Sequence, residues 1–99
     1  MRIIAVRALR EFWQQQGHGD AEQPLKAWLA EARDASWTTP MEIKAQYGSA
    51  SVLQDSRVVF NIAGNKYRLI VKFHYNTGIG YIRFIGTHAE YDAINAETV

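Results

Sequence analysis

Three stretches in the second half of the chain alternate between apolar and polar side chains with a period of two. They are Arg57–Ala63, Lys66–Tyr75 and Ile79–Gly86, and the turn-forming residues Gly64-Asn65 and Asn76-Thr77-Gly78 separate them. A period of two is typical of strands with one buried face, and Gly and Asn favour the backbone of short hairpin turns. The pattern therefore predicts three consecutive antiparallel strands.

The alternation also predicts which side chains share a face of this sheet. The apolar face contains Val58, Phe60, Ile62, Tyr67, Leu69, Val71, Phe73, Ile82 and Phe84. The opposite face, called the cationic face below, contains Arg57, Asn61, Arg68, Lys72, His74, Tyr81 and Arg83. The turn lengths predict four cross-strand pairs on it, which are Asn61 with Arg68, Arg57 with Lys72, Lys72 with Arg83, and Arg68 with Thr87.

No Asp or Glu occurs between Asp55 and Glu90, although the whole chain has a formal net charge of only +1. Like charges directly opposite each other destabilise a sheet, so a column of basic residues makes most sense if an anion neutralises it. The absence of carboxylates also argues against a two-metal nuclease, which needs them to hold Mg²⁺. We therefore expect a surface that binds a polyanion.

The first half of the chain is predicted to supply helices that cover the apolar face. Arg2–Val6 is a β-branched run that suits an edge strand, and helical spacing follows over Arg7–Gln16. Asp20 is a candidate N-cap for a helix that ends at Asp34. Thr39, Pro40 and Glu42 have the spacing of a capping box and predict a short third helix that ends at Tyr47. The sequence thus predicts an α+β fold with the N-terminal helices on one face of a small antiparallel sheet.

Length and composition set the remaining limits. Ninety-nine residues suffice for one hydrophobic core, so residues 1–99 are expected to form a single domain. With no cysteine and three widely spaced histidines, no metal site or cofactor is expected. The longest apolar run is too short to span a membrane, and a cytoplasmic location without membrane contact is expected.

A second capping box begins at Thr87, with Glu90 as its third helical residue, and predicts a short C-terminal helix. His88 and Tyr91 then lie near the start of this helix, where Arg68 also points in the predicted register. We expect a phosphate held by Arg68 and Arg83, with His88 and Tyr91 at its margin. Cleavage of RNA by attack of the 2′-hydroxyl on the adjacent phosphate needs such proton carriers and cations.

The order of several motifs resembles the HigB toxins of bacterial type II toxin–antitoxin systems, within the RelE-like superfamily. The motifs are the string from Val59 to Leu69, then Tyr81-Ile82-Arg83, then Thr87-His88-Ala89-Glu90-Tyr91-Asp92. The resemblance implies an mRNA interferase, a metal-independent endoribonuclease that cleaves mRNA on translating ribosomes and so inhibits translation. It also implies a HigA-like helix-turn-helix antitoxin as partner, with operator DNA contacted only through that antitoxin.

The resemblance further implies which residues serve the reaction. Arg68, Arg83, His88 and Tyr91 would form the catalytic group. Asn61, Lys66 and Lys44 would support them. Together with Arg57 and Lys72 of the cationic face, these are the residues expected to bind RNA.

Two other classes of function remain open from the sequence. The cationic face could bind RNA without cleaving it, although Tyr81 is its only good candidate for stacking on a base. It could instead dock an acidic protein partner such as an antitoxin segment.

Overall fold

The computed structural model describes residues 1–99 as a five-stranded sheet with four α-helices. The elements in chain order are β1 (Arg2–Ile4), α1 (Arg7–Trp13), a 3₁₀ turn (Gly19–Ala21), α2 (Glu22–Asp34), α3 (Pro40–Gln46), β2 (Ser51–Val52), β3 (Arg57–Ile62), β4 (Tyr67–His74), β5 (Ile79–Thr87) and α4 (His88–Asp92). The strand order is β1-β5-β4-β3-β2. The edge strand β1 pairs in parallel with β5, so the sheet is mixed, and the other pairs are antiparallel.

The three N-terminal helices pack on one face of the sheet, which confirms the predicted α+β arrangement. Alternate residues of β3 and β4 meet the apolar stripes of these helices in one hydrophobic core. That core includes Leu9, Phe12, Leu25, Trp28, Leu29, Ile43, Val58, Phe60, Tyr67, Leu69, Val71 and Phe73. No helix is both long enough and apolar enough to cross a membrane.

The predicted start of the second helix at Asp20 is wrong, because Asp20 lies in the 3₁₀ turn and Ala21 is the N-cap of α2. The Asp20 carboxylate instead accepts hydrogen bonds from Lys66 and from the buried Tyr67 hydroxyl. These two hydrogen bonds, Lys66 first, hold the pKa of Asp20 below its usual value. A long-range contact has therefore taken the side chain that a local pattern assigned to capping.

The first hairpin has the predicted register. Asn61 lies opposite Arg68, and Arg57 lies opposite Lys72. The turn between β3 and β4 thus sets the pairing as its sequence indicates.

The predicted register of the second hairpin is wrong. Lys72 faces Tyr81 and Arg68 faces Gly86, because the turn pairs His74 with Ile79 and β5 then contains a β-bulge. Ile70 pairs with Phe84 whereas Val71 pairs with Ile82, which leaves Arg83 as the extra residue. The predicted column of directly opposed cations is therefore interrupted.

The bulge also moves Phe84 from the predicted apolar face to the cationic face. Phe84 lies beside Ile70 and Val59, both buried there, whereas Ile85 joins Ile82 against the main core. An extra residue reverses the alternation of every residue beyond it. The cationic face consequently has an apolar strip across its middle, formed by Val59, Ile70 and Phe84.

Candidate functional site

Helix α4 begins as its sequence predicts. Thr87 Oγ1 accepts a hydrogen bond from the Glu90 main-chain N–H at 3.2 Å, and Glu90 Oε1 accepts one from the Thr87 N–H at 2.8 Å. This reciprocal capping box fixes the direction in which the chain leaves β5. It places His88 at the first helical position and Tyr91 one turn later.

The turn between β3 and β4 brings a main-chain oxygen to the same place. Ala63 and Gly64 both adopt positive φ angles, +55° and +69°, which is the backbone of a tight hairpin turn. The next residue, Asn65, presents both its main-chain oxygen and its side-chain oxygen to the cationic face. These two oxygens are the acceptors around which the site is organised.

Arg68, His88 and Tyr91 meet around Asn65, and these four residues are called the Arg68 cluster. Arg68 Nη1 donates to Asn65 Oδ1 at 2.8 Å and lies 3.4 Å from its main-chain oxygen, to which His88 Nε2 also donates. The Arg68 guanidinium carbon lies 5.8 Å from the centre of the Tyr91 ring, within range of a cation–π interaction. Both oxygens on Asn65 therefore orient groups that can act on a phosphate.

Two groups of the Arg68 cluster remain available to a bound phosphate, namely the charge of Arg68 and Nδ1 of His88. Arg68 is half-buried, and its acceptors are the neutral oxygens of Asn65, so no carboxylate balances its charge. Because a carbonyl oxygen only accepts, His88 Nε2 carries the proton, and Nδ1, which has no protein partner, is the nitrogen that can take up another. An uncompensated guanidinium thus lies beside a possible base.

A different arrangement, called the Arg57 cluster, lies at the other end of the cationic face. Arg57 donates through Nε and Nη2 to the main-chain oxygen of Val99, at 3.0 and 2.8 Å, and Arg83 Nε lies 3.3 Å from the same oxygen. Arg57 Nη1 and Lys72 Nζ both contact Asp55 Oδ2, at 2.8 and 3.2 Å. The hydrogen bonds from Arg57 and then Lys72 hold the pKa of Asp55 below its usual range.

The expectation that the cationic face has no carboxylate is therefore wrong. Asp55 precedes β3 in a turn in which both Asp55 and Ser56 have positive φ, +58° and +61°. This turn folds the Asp55 side chain back onto the first row of the sheet. The single carboxylate is engaged by two cations, so it balances charge there.

The structure brings together three of the four predicted catalytic residues. Arg68 and Lys72 are four residues apart on β4, which is about 13 Å along a strand. Arg83 is directed toward the Val99 oxygen in the Arg57 cluster, on the far side of the apolar strip. Arg68, His88 and Tyr91 form the catalytic candidate, and Arg83 lies with Arg57 and Lys72.

The other residues predicted to bind RNA are already engaged. Asn61 Nδ2 donates to the Ser49 main-chain oxygen at 3.3 Å. Lys44 Nζ donates to the main-chain oxygens of Gly48 and Ala50, both at 2.6 Å, just after α3 ends. As described above, Lys66 is paired with Asp20. Any contact of these three with RNA stays a prediction.

Two residues of these clusters were missed in the sequence. Asn65 was interpreted only as a turn former, although the Gly-Asn pair is the signal that places its oxygens beside the neighbouring strand. Asp55 was placed outside the basic segment, and its return to the sheet depends on a turn of two left-handed residues that no local rule predicts.

The fold and the site define a class of protein, a small α+β domain whose sheet presents an arginine–histidine–tyrosine group beside a short C-terminal helix. The sequence model of the HigB toxin family, the RelE-like toxic component of a toxin–antitoxin system, matches residues 21–94. The chain belongs to this family. It is therefore the toxin component of a toxin–antitoxin system and has an antitoxin as its partner.

The family match covers α2 to the end of α4 and thus includes every residue of the Arg68 cluster. Membership implies a ribonuclease-type activity in general terms. No curated protein matches the chain.

Proposed function

We propose that the protein is an endoribonuclease that cleaves mRNA on translating ribosomes and that the Arg68 cluster performs the reaction. The observation that carries the proposal is that Arg68 and His88 both contact Asn65, so that a cation without a carboxylate partner and a proton-accepting nitrogen share one place. The family match supports an activity of this class.

The proposed reaction is an attack of the ribose 2′-oxygen on the adjacent phosphorus. The O2′–P bond forms, the P–O5′ bond breaks, and the products are a 2′,3′-cyclic phosphate and a 5′-hydroxyl. His88 Nδ1 takes the 2′ proton, while Arg68 donates to the non-bridging oxygens as charge develops on them. The Tyr91 hydroxyl, which has no protein partner, supplies the proton to the leaving 5′-oxygen.

Each of these roles depends on a position that the fold fixes. The Asn65 oxygen holds the Nε2 side of His88, which leaves Nδ1 as the base. Tyr91 is held between Arg68 and Phe84, whose ring centre lies 6.4 Å from its own. Such preorganised donors and proton carriers contribute most of the rate in reactions of this kind.

The partners that go with this proposal are mRNA, the ribosome and a HigA-like helix-turn-helix antitoxin. Operator DNA would be contacted only through that antitoxin, and the site of action would be the cytoplasm. The family match supports these partners only at the level of a toxin with an antitoxin.

The test is to map the ends of a defined mRNA in a purified translation reaction, with and without ribosomes. The wild type is compared with Arg68→Ala and with Arg7→Ala, a matched control because Arg7 is 82% exposed on α1 and contacts only Glu11. We expect 5′-hydroxyl ends that need ribosomes, about 100-fold fewer of them with Arg68→Ala, and an unchanged number with Arg7→Ala.

Three results would contradict the proposal. RNA that is bound but intact would identify a non-catalytic RNA-binding module. Tight binding to the antitoxin with no effect on translation would identify a protein-interaction module. Equal cleavage by the wild type and Arg68→Ala would place the chemistry elsewhere.

A further inference from the structure

The Arg57 cluster has the geometry of an anion site whose occupant is the chain itself. Three guanidinium N–H groups, two from Arg57 and one from Arg83, converge on the single main-chain oxygen of Val99. Arg57 is only 4% exposed, so its donors need an acceptor in place of water. Whatever replaces Val99 must supply that acceptor.

The occupant matches the site only partly. The Nε and Nη2 groups of an arginine form a two-donor fork that suits two oxygens of one phosphate or carboxylate. A single Val99 oxygen now bridges both donors of Arg57. Asp55 holds the third donor, Nη1, which fixes the fork toward the surface. A phosphate would give each donor its own oxygen.

The local charge also favours an anion. Arg57, Lys72 and Arg83 are three cations, and Asp55 is the one acidic side chain among them. Tyr81 lies beside Lys72 in the sheet, with its ring 5.0 Å from that of His74. An aromatic ring next to a phosphate site is a common arrangement for holding one nucleotide of a single strand.

Apart from the contacts of the Val99 oxygen, the hydrogen bonds of the segment that now fills the site lie within the segment itself. Residues 95–99, called the strap, form a turn that is held by hydrogen bonds to Asn95. Its side-chain oxygen accepts from the Glu97 N–H at 3.0 Å, and its main-chain oxygen accepts from the Val99 N–H at 3.0 Å. Three of the five strap residues, Asn95, Glu97 and Thr98, are exposed, and segments with few buried contacts open at a low free-energy cost.

We propose that Arg57 and Arg83 form a second phosphate site, separated from Arg68 by the apolar strip, that the strap covers in the free protein and an RNA backbone phosphate takes over on binding. This inference rests on the proposed function, because RNA is its ligand. It assigns Arg83 to binding and gives the strap a competing role. Loosening the strap should strengthen RNA binding, and removing Arg83 should weaken it.

The displacement can be observed directly, because the chain has no cysteine and Thr98 is exposed. Thr98→Cys carries a fluorinated label, and the protein is titrated with a 2′-O-methyl oligoribonucleotide, which has no hydroxyl to attack. We expect the label signal to change from that of a bound strap to that of a mobile one, with the same midpoint as binding. Inorganic phosphate at high concentration should produce the same mobile signal.

Two variants separate the contributions. Arg83→Gln should weaken binding of the oligonucleotide about tenfold, whereas Arg7→Gln, with the same change of charge on the opposite side, should alter it less than about twofold. Asn95→Ala, which removes one hydrogen bond within the strap and no cation, should strengthen binding about twofold to fivefold. Thermal unfolding of each variant checks that the fold is retained.

The inference is overturned if the oligonucleotide binds while the label signal stays unchanged, or if Arg83→Gln behaves as Arg7→Gln. It is also overturned if only an acidic peptide, and neither phosphate nor the oligonucleotide, moves the strap. Cleavage of unmodified RNA is measured on the same samples. If the strap moves but no RNA is cleaved, the phosphate site is supported and the proposed function is contradicted. If RNA is cleaved but the strap does not move, the proposed function is supported and the phosphate site is contradicted.

Discussion

The Arg68 cluster and the Arg57 cluster use the same type of side chain on the same face of one sheet, yet they prepare it for different tasks. Arg68 is oriented by the neutral oxygens of Asn65, so its charge is free to stabilise charge that develops during a reaction. Arg57 is buried and held by Asp55, so its fork is fixed for an anion that is already present. The neighbours of an arginine, more than the arginine itself, decide its role.

The apolar strip is what keeps the two clusters apart. Val59 and Ile70 are 4% and 0% exposed on a face that the sequence predicted to be cationic. Helix α4 lies against β4 and β5 at the side of Arg68, and the strap continues from it toward Arg57. The face is therefore divided into two sites by its own packing.

The largest difference in cleavage between variants of the two clusters is expected from His88→Gln. Glutamine can still donate to the Asn65 oxygen but cannot take a proton, so cleavage should fall about 100-fold or more with RNA binding retained. The matched control is His74→Gln, because His74 is the other histidine of the cationic face and is exposed near the Arg57 cluster. Single-turnover cleavage measures both, and equal losses would show that the clusters are not functionally distinct.

Gly86→Ala should disturb the Arg68 cluster through packing. A Cβ at Gly86 would lie 2.5 Å from Phe84 Cζ and 3.1 Å from Glu90 Oε1, so the ring and the start of α4 must shift. We expect a loss of about 1–3 kcal/mol of unfolding free energy together with reduced cleavage. Gly48→Ala, which would meet no atom within 4 Å, is the control for urea unfolding. Equal stability of the two variants would contradict the packing described.

Thr87→Ala should separate stability from activity when it is compared with Thr39→Ala. Each threonine caps a short helix by accepting from the main-chain N–H three residues later, at 3.2 Å from Glu90 and 3.4 Å from Glu42. Both variants should lose about 1 kcal/mol of stability, but only Thr87→Ala should also reduce cleavage, because α4 carries His88 and Tyr91. Reduced cleavage in both would mean that a general loss of stability is responsible.

Asp55→Asn should give the smallest effect, confined to acid pH. Because Arg57 and Lys72 lower the pKa of Asp55 in the folded state, this carboxylate stabilises the protein above its ordinary pKa of about 4, and that contribution disappears as pH falls through the lowered value. Urea unfolding of the variant should therefore depend less on pH in that range. Asp34→Asn, in which an exposed carboxylate without an ion pair is changed, should keep the slope of the wild type.

The sequence predicted the features that depend on local patterns. The three hairpin strands β3, β4 and β5, the two capping hydroxyls at Thr39 and Thr87, and the Asn61–Arg68 pair follow from period, turn chemistry and residue spacing. The short strand β2 was not predicted. The bulge at Arg83 and the contacts of Asp20 could not be predicted in this way, because each depends on distant parts of the chain. The same holds for the strap, whose partner Arg57 is 42 residues away.

The division of the candidate site was hidden for the same reason. A strict alternation over β5 places Arg83 opposite Lys72 and Phe84 on the apolar face, which leaves one continuous basic surface. One extra residue in the strand moves Phe84 into the middle of that surface. Arg83 is grouped with Arg57 because both donate to the Val99 oxygen.

The most direct test of the account compares Arg68→Gln with Arg83→Gln in single-turnover cleavage over a range of protein concentrations. The account predicts that Arg68→Gln lowers the rate at saturation about 100-fold with little change in the half-saturating concentration. It predicts that Arg83→Gln raises the half-saturating concentration about tenfold and leaves the saturated rate nearly unchanged. If both variants lower the saturated rate alike, the two arginines act in one site and the division into two clusters is wrong.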